Sequence, residues 1–430
     1  MKVYLETLGC RLNYSEMETL GRQLGEIGHE IVSLPEQADV AVLNTCAVTG
    51  EAARKSRQLA RKLARANPSA RLAVTGCYAT LAPDDVSRLP NVELVVDNRR
   101  KDFLAELLQP WSAELDGEKW RRLTPEAPLH APARTRAFVK VQDGCNNKCT
   151  FCIVTVARGE ERSRRVGDIL AEIRQLAAEG YQEAVLTGVH LGGYGNDLDT
   201  DLRGLVAAIL EQTTLPRLRL SSLEPWDLQP EFFDLWGASD GRLCPHLHLP
   251  LQAGCDKTLK RMARRTRTAE FRQLLAEAHS RIPDLVITTD MIVGFPGETQ
   301  VDFEESLRFV EEMRFAHVHV FPYSAREGTA AAGFSGQVPA AERRERVDAM
   351  EAVARATGEA VRRSFLGTIR PVLWEALDHP ANGSGALWSG LTDNYLRVQA
   401  IAPAGEDMEN WITPARLVEL CDGVIRTEIL

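Results

Sequence analysis

Three cysteines within eight residues constrain this 430-residue chain more than any other feature. Cys145-Asn-Asn-Lys-Cys149-Thr-Phe-Cys152 is a C-x3-C-x2-C loop directly after a strand-like run, Phe138–Val141. Three thiolates this close can hold three irons of a [4Fe–4S] cluster. No fourth cysteine lies nearby, so the fourth iron is open to another ligand. The alternative is a structural zinc site. That normally closes with four ligands, and no Cys or His within a dozen residues on either side supplies one.

A second trio is scattered. Cys10, Cys46 and Cys77 each end a strand-like run: YLETLGC, VAVLNTC and LAVTGC. In a parallel sheet the three strand ends face one edge, where open α/β sheets place ligands. Gly9 and Gly76 beside them suit tight turns or close cluster approach. The alternative is three unrelated buried thiols, since free Cys is commonly buried. Cys244, Cys255 and Cys421 have no partners at cluster spacing and read as ordinary thiols.

The pattern around these cysteines is α/β. Over 1–108, strand-like runs at Val3–Leu8, Val40–Leu43, Leu72–Thr75 and Val92–Val96 alternate with helical patterns at Glu16–Ile27 and Glu51–Ala66, which implies a parallel sheet. Residues 109–136 carry Pro110, Pro125, Pro128 and Pro132 and read as a linker. Over 137–366, strands at Phe138–Val141, Ala184–Thr187, Leu218–Ser221, Leu247–Leu251, Leu285–Ile292 and Val318–Phe321 fit a partial (β/α)6 barrel, with its active site at the carboxyl ends of the strands. From 367 to 430, short strands (Val372–Ala376, Leu396–Ala400, Ala415–Leu420) between Gly, Asn and Asp turns suggest a small all-β domain.

Composition narrows the class. With 44% hydrophobic and 26% charged residues the chain is ordinarily globular. No apolar run approaches the ~18 residues of a membrane span, and the N-terminus reads as a strand without a leader, so a cytoplasmic protein is expected. In that compartment nine cysteines imply metal binding or catalysis before disulfides. A net charge of −9 argues against indiscriminate nucleic-acid binding but leaves room for local basic patches. Two such segments are Arg54–Arg71 and Lys257–Arg272, candidate RNA surfaces or solvated helix faces.

The C-x3-C-x2-C loop with Phe151 before its last cysteine resembles the radical SAM superfamily signature. Two three-cysteine sites, one in an α/β domain ahead of such a barrel, resemble the methylthiotransferase family. TLGCRLN, NTCAVT, TGCYA, CNNKCTFC, ARGEERSR, LSSLEP, IVGFPGET and FPYSAREGT look like family blocks in family order. The resemblance implies two [4Fe–4S] clusters and S-adenosylmethionine. It implies insertion of sulfur into an unactivated C–H bond followed by methylation, with the cluster on Cys145, Cys149 and Cys152 giving the radical. It also implies an electron donor and a sulfur source. ETLGCRLN, LSSLEP and FPYSAREGT look most like the branch acting on threonylcarbamoyladenosine beside the tRNA anticodon. The isopentenyladenosine branch and the branch modifying a ribosomal-protein aspartate are the alternatives, and an inactive cluster-bearing RNA-binding protein is a further one.

The resemblance also assigns cofactor contacts. Thr187, Gly188 and His190 end the second barrel strand, where the methionine amino group is expected. Ser221, Ser222 and Glu224 end the third, facing ribose or amino groups. Gly294, Gly297 and Glu298 stand at the adenine position, or simply form a strand-to-helix turn with Glu298 near the helix dipole. Arg158, Arg162 and Arg164 are candidates for a carboxylate or phosphate, or form a solvated charged loop. Two residues depart from the family: Thr155 stands where Pro is usual, and Ala253 where Ser is common. The C-terminal domain resembles a TRAM module through Gly390-Leu-Thr-Asp-Asn-Tyr395. Yet residues 367–430 hold four Arg, no Lys and nine Asp or Glu, a net of −5 that should repel RNA.

Overall fold

The computed structural model describes residues 1–115, 135–381, 385–402 and 406–430. They form two compact units. The first comprises residues 1–115, 143–161 and 324–332, and the second 135–142, 162–323 and 333–430.

The first unit is built on a five-stranded parallel sheet: β1 (Lys2–Thr7), β2 (Glu30–Val32), β3 (Val40–Thr45), β4 (Arg71–Gly76) and β5 (Val92–Val96). Their order is β2-β1-β3-β4-β5. β3 is buried at every position, and β4 at all but Arg71, as expected of strands covered on both faces. Two helices do much of the covering. Helix α1 (Arg11–Glu26) buries Leu12, Met17, Leu20 and Leu24. Helix α2 (Gly50–Ala66) buries Ala53, Ala60 and Leu63. The Thr49 hydroxyl accepts from Ala52 N and caps α2. The strand β2 lacks a clear signal in the sequence because only three residues pair at the sheet edge.

The prolines of 109–136 do not all lie outside regular structure. Residues 109–115 complete the helix Leu104–Leu115, with Pro110 inside it. The rest of that segment up to 134, including Pro125, Pro128 and Pro132, falls outside the described residues.

The second unit holds a partial (β/α) barrel and a small β-barrel. After β6 (Arg136–Lys140) come two short strands, β7 (Gln142–Asp143) and β8 (Arg162–Ser163). The main strands continue as β9 (Glu183–Thr187), β10 (Arg217–Leu220), β11 (His246–His248), β12 (Val286–Val293) and β13 (His317–Pro322). β6-β9-β10 and β11-β12-β13 are each parallel, and bridges at Leu218–Leu243 and Ser222–His248 carry the parallel alignment from one three-stranded sheet toward the other. All six strands expected from the sequence are present.

Five antiparallel and parallel strands then close the small barrel: β14 (Ile369–Ala381), β15 (Gly385–Thr392), β16 (Arg397–Ala402), β17 (Ile412–Cys421) and β18 (Val424–Ile429). Its core around Trp374, Trp388, Val398 and Leu417 runs on into Val286 and Ala316 at the starts of β12 and β13. Tyr395 stacks on His246, ring centroids 4.3 Å apart, and lies under Arg219. Arg219 in turn is held by Glu183 at 2.7 Å, fully buried. The acidic β-barrel is thus fastened beneath the α/β barrel by apolar packing, by the Tyr395–His246 stack and by an ion pair from Arg136 to Glu375 at 2.6 Å.

Candidate metal centre

All six candidate cluster ligands fall in the first unit. Cys10 follows β1, Cys46 follows β3 and Cys77 follows β4, three adjacent parallel strands. In a 2-1-3-4-5 sheet the chain reverses direction between β1 and β3, which opens a crevice at their carboxyl ends. The scattered trio stands at that crevice. Cys10 and Cys77 both act electrostatically on Cys46. Gly9 (φ +114°) lies so close to Cys46 that a Cβ there would sit 3.0 Å from its Sγ. Gly76 (φ +98°) passes Thr45, whose carbonyl a Cβ would meet at 2.3 Å.

The loop trio is held differently. Cys145 N donates to Gly159 O at 3.0 Å, and Cys152 N to Cys149 O at 3.1 Å. Gly144 (φ +72°) lets the loop pass Glu160, whose carbonyl a Cβ would meet at 1.8 Å. Ala331 N donates to Thr150 O at 2.9 Å, which ties the loop to a later segment of the same unit.

Both trios fit iron–sulfur ligation. Burial pushes the Cys46, Cys145 and Cys152 thiols up to about 11, with neighbouring thiols adding to the effect. Without metal they are protonated, and ligation would release those protons. The Asn147 side-chain N is buried in the loop without a partner, a donor suited to a cluster sulfide.

Arg158 takes a role unlike the anion contact expected of it. Its guanidinium is buried and donates to Glu16 and Asp143, each at 2.9 Å, and to Asn13 Oδ1 at 2.8 Å. Burial opposes its charge, but Glu16, Asp143, Cys77 and Cys10 overcome that and keep it protonated well above the ordinary range. Asn13 Oδ1 also accepts from Cys10 Sγ at 3.7 Å. Asn98 Nδ2 donates to Cys77 Sγ at 3.7 Å and to Ala157 O at 2.8 Å. Lys101, lowered by burial against the pull of Glu16, completes the network at 2.7 Å from that carboxylate. Two asparagines thus bridge the scattered trio to residues 157 and 158, just past the loop trio. Asn13 has a sequence signal, one helical turn beyond Cys10. Asn98 has none.

The remaining expected contacts lie in the second unit. Thr187 O accepts from Val141 N at 2.9 Å, and Gly188 packs on Gln142. His190 is buried and paired with Asp227 at 2.6 Å, so its ring serves as a hydrogen-bonding group. Ser221 is buried with its hydroxyl unpartnered, and Ser222 is exposed. Both oxygens of Glu224 are held by Arg264 at 3.0 and 2.5 Å, which leaves them less open to a ligand than expected. Gly294 N donates to Glu298 at 2.6 Å, and Arg346 holds the same carboxylate at 2.6 Å. Glu298 is therefore a buried brace for the turn, its pKa raised by burial. Gly297 N donates to Gly336 O at 2.8 Å. Arg164 is paired with Glu172 at 2.6 Å, and Arg162 is exposed. In the basic segment Lys257–Arg272, Lys257, Arg264 and Arg272 are paired with Asp302, Glu224 and Glu312. On α2, Arg61, Lys62 and Arg65 are exposed.

A family profile described as "Uncharacterized protein family UPF0004" matches residues 2–97, and one described as "Radical SAM superfamily" matches 139–310. "Threonylcarbamoyladenosine tRNA methylthiotransferase MtaB" of Bacillus subtilis (strain 168) is 35% identical over 426 residues, 97% of this chain and 94% of its own length. The chain belongs to the radical SAM methylthiotransferase family. The cofactors of that family are S-adenosylmethionine and two [4Fe–4S] clusters. Another methylthiotransferase relative, "tRNA-2-methylthio-N(6)-dimethylallyladenosine synthase" of Pelobacter propionicus (strain DSM 2379 / NBRC 103807 / OttBd1), is 33% identical and covers 91% of this chain and 92% of its own length. Among solved structures, the radical S-adenosylmethionine methyltransferase TsrM from Kitasatospora setae aligns with a TM-score of 0.57 at 15% identity. The alignment spans 75% of this chain and 74% of that one, and it supports the fold alone.

Proposed function

We propose that this methylthiotransferase acts on tRNA, placing a methylthio group at C2 of N6-threonylcarbamoyladenosine beside the anticodon. The observation that carries the proposal is the pair of three-cysteine sites in one compact unit, together with similarity to the threonylcarbamoyladenosine relative over 97% of the chain. In this reading Cys145, Cys149 and Cys152 hold the cluster that binds S-adenosylmethionine, and Cys10, Cys46 and Cys77 hold the auxiliary one. When bound, these groups supply the adenosyl radical, the sulfur and the methyl group.

The chain's own residues hold and insulate. Burial excludes water from Cys46 and Cys77. Arg158 places a fixed positive charge beside Cys10 and Cys77, and Asn98 Nδ2 donates to Cys77 Sγ, a bond that a thiolate there would keep. Thr187, Gly188, Ser221, Ser222, Gly294 and Gly297 remain candidate cofactor contacts at or just beyond the barrel strand ends. The division that accompanies this reading is an auxiliary-site domain over 1–108, a linker over 109–136, a radical SAM barrel over 137–366 and a TRAM-like domain over 367–430.

An electron donor and a sulfur source are required partners. Among the described residues no helix is long and apolar enough to cross a membrane, and we place the enzyme in the cytoplasm with its tRNA. Mass spectrometry of tRNA nucleosides from a deletion strain tests the substrate. Loss of the methylthio group from threonylcarbamoyladenosine, restored by the gene, is expected. Loss from isopentenyladenosine instead, or an unchanged tRNA profile with an altered ribosomal-protein mass, would overturn the substrate assignment.

A further inference from the structure

The second unit carries a cluster that the cofactor contacts leave unused. β12 and β13 pair in parallel register, Asp290 beside His319 and Ile292 beside Phe321. Alternate residues of a strand share a face. Thr288, Asp290 and Ile292 therefore lie in a row next to His317, His319 and Phe321. The opposite face, with Thr289, Met291 and Val318, is buried. On the row itself Thr288 is buried and Asp290 and Ile292 are half-buried, but the β13 side is open: His317 and His319 are exposed, and Phe321 is 44% exposed. The His319 and Phe321 rings stack at 27° with centroids 6.5 Å apart.

Behind this aromatic pair stands His248 at the end of β11. Its Nδ1 lies 2.8 Å from Thr288 Oγ1 and its Nε2 3.3 Å from Asp290 Oδ1. Ligand atoms of His248, Asp290 and His319 lie within 4.8 Å of one another, a spacing that could take a cation. Both nitrogens of His248 are already engaged, however, and a metal would have to displace Asp290 from one of them. What the arrangement offers is a fixed carboxylate acceptor beside a stacked, open aromatic pair. That is the chemistry of nucleobase recognition: proteins take unstacked RNA bases on aromatic faces and read their edges by hydrogen bonds.

We propose that Phe321 and His319 form the stacking platform for the target adenine, and that Asp290 accepts a hydrogen bond from its N6–H. His248 is a positioning residue that fixes the Asp290 carboxylate. The inference rests on the tRNA reading above and assigns the residues that receive its base. Asp290, Ile292 and Phe321 lie in the carboxyl halves of β12 and β13, toward the end where barrel chemistry is carried out.

The test compares binding of two anticodon-arm RNAs to the cluster-loaded enzyme. One carries the modified adenosine, and the other is abasic at that position. Wild type should prefer the first by about tenfold. Phe321→Ala and His319→Ala should bring the ratio toward one, with the affinity for abasic RNA and the KM for S-adenosylmethionine unchanged. Asp290→Ala should lower the ratio, and His248→Ala should reproduce part of that loss without altering abasic binding, an effect that misfolding would not give. A ratio that survives Phe321→Ala and His319→Ala overturns the platform. So does a raised KM for S-adenosylmethionine at an unchanged ratio, which would make the row a cofactor contact. Wild type that binds neither RNA better than an unrelated RNA of equal length would sink the tRNA reading itself.

Discussion

The two cysteine trios, each proposed to hold a cluster, are assembled by opposite routes. Cys145, Cys149 and Cys152 are gathered by a loop of eight residues, so local hydrogen bonds and Gly144 set their geometry. Cys10, Cys46 and Cys77 are gathered by the sheet, and their geometry depends on the register of β1, β3 and β4. The loop trio can be rebuilt by any change that keeps the loop. The strand-end trio is only as good as the fold behind it. The fold behind it includes a buried charge network, Arg158 with Glu16, Asp143 and Lys101, which reaches the loop trio too through Asp143 and Arg158 on either side of that loop.

The sharpest way to break this comparison is to remove one ligand from each trio. Cys149→Ala should reduce 5′-deoxyadenosine formation to background. Cys46→Ala should abolish the methylthio product while leaving some uncoupled 5′-deoxyadenosine. Unchanged cleavage in the first variant would refute its assignment.

A smaller effect is expected at the shared network. Arg158→Gln leaves Glu16 and Asp143 without their common cation, and breaking a buried pair typically costs about 3–5 kcal/mol. Denaturant unfolding should show a loss of that order. A cost under about 1 kcal/mol would mean the network is dispensable.

Two glycines then separate the trios. Gly76→Ala would drive a Cβ toward the Thr45 carbonyl, and Gly144→Ala toward that of Glu160. Each forces a backbone of positive φ on alanine, at about 1–3 kcal/mol. The first should lower auxiliary iron, the second radical-site iron, measured in variants that retain only the affected trio. The reverse pattern would contradict the two routes.

The smallest effect is in pH. Burial raises Cys46, Cys145 and Cys152 to about 11 in the folded chain without clusters. A thiol whose folded pKa is raised contributes stability that is present below its unfolded value and is lost as pH climbs through the folded one. The melting temperature of the cluster-free chain should therefore fall between pH about 9 and about 11. The cluster-loaded chain, its thiolates held by metal, should fall less.

Much of this was legible in the sequence because its signals were local. Apolar runs ending in Cys10, Cys46 and Cys77 placed three candidate ligands on adjacent strand ends, and six alternating units announced the barrel. What escaped was non-local. Asn98 meets Cys77 across 21 residues, and Arg158 meets Glu16 across 142. Arg158 read, with Arg162 and Arg164, as a carboxylate or phosphate contact or as part of a solvated loop, and only folding brings Glu16 to it. Likewise the acidic character of 367–430 argued against RNA binding, but not for the contact of Tyr395 with the buried Arg219 that joins this domain to the α/β barrel.

The central claim is that one compact unit carries two separate three-cysteine cluster sites. Iron and sulfide analysis after anaerobic reconstitution tests it directly, on wild type and on the two triple alanine variants. The account predicts about eight irons per wild-type chain and about four in each variant, one [4Fe–4S] cluster per intact trio. About four irons in wild type with all six cysteines intact, or loss of both clusters only when one particular trio is removed, would contradict it.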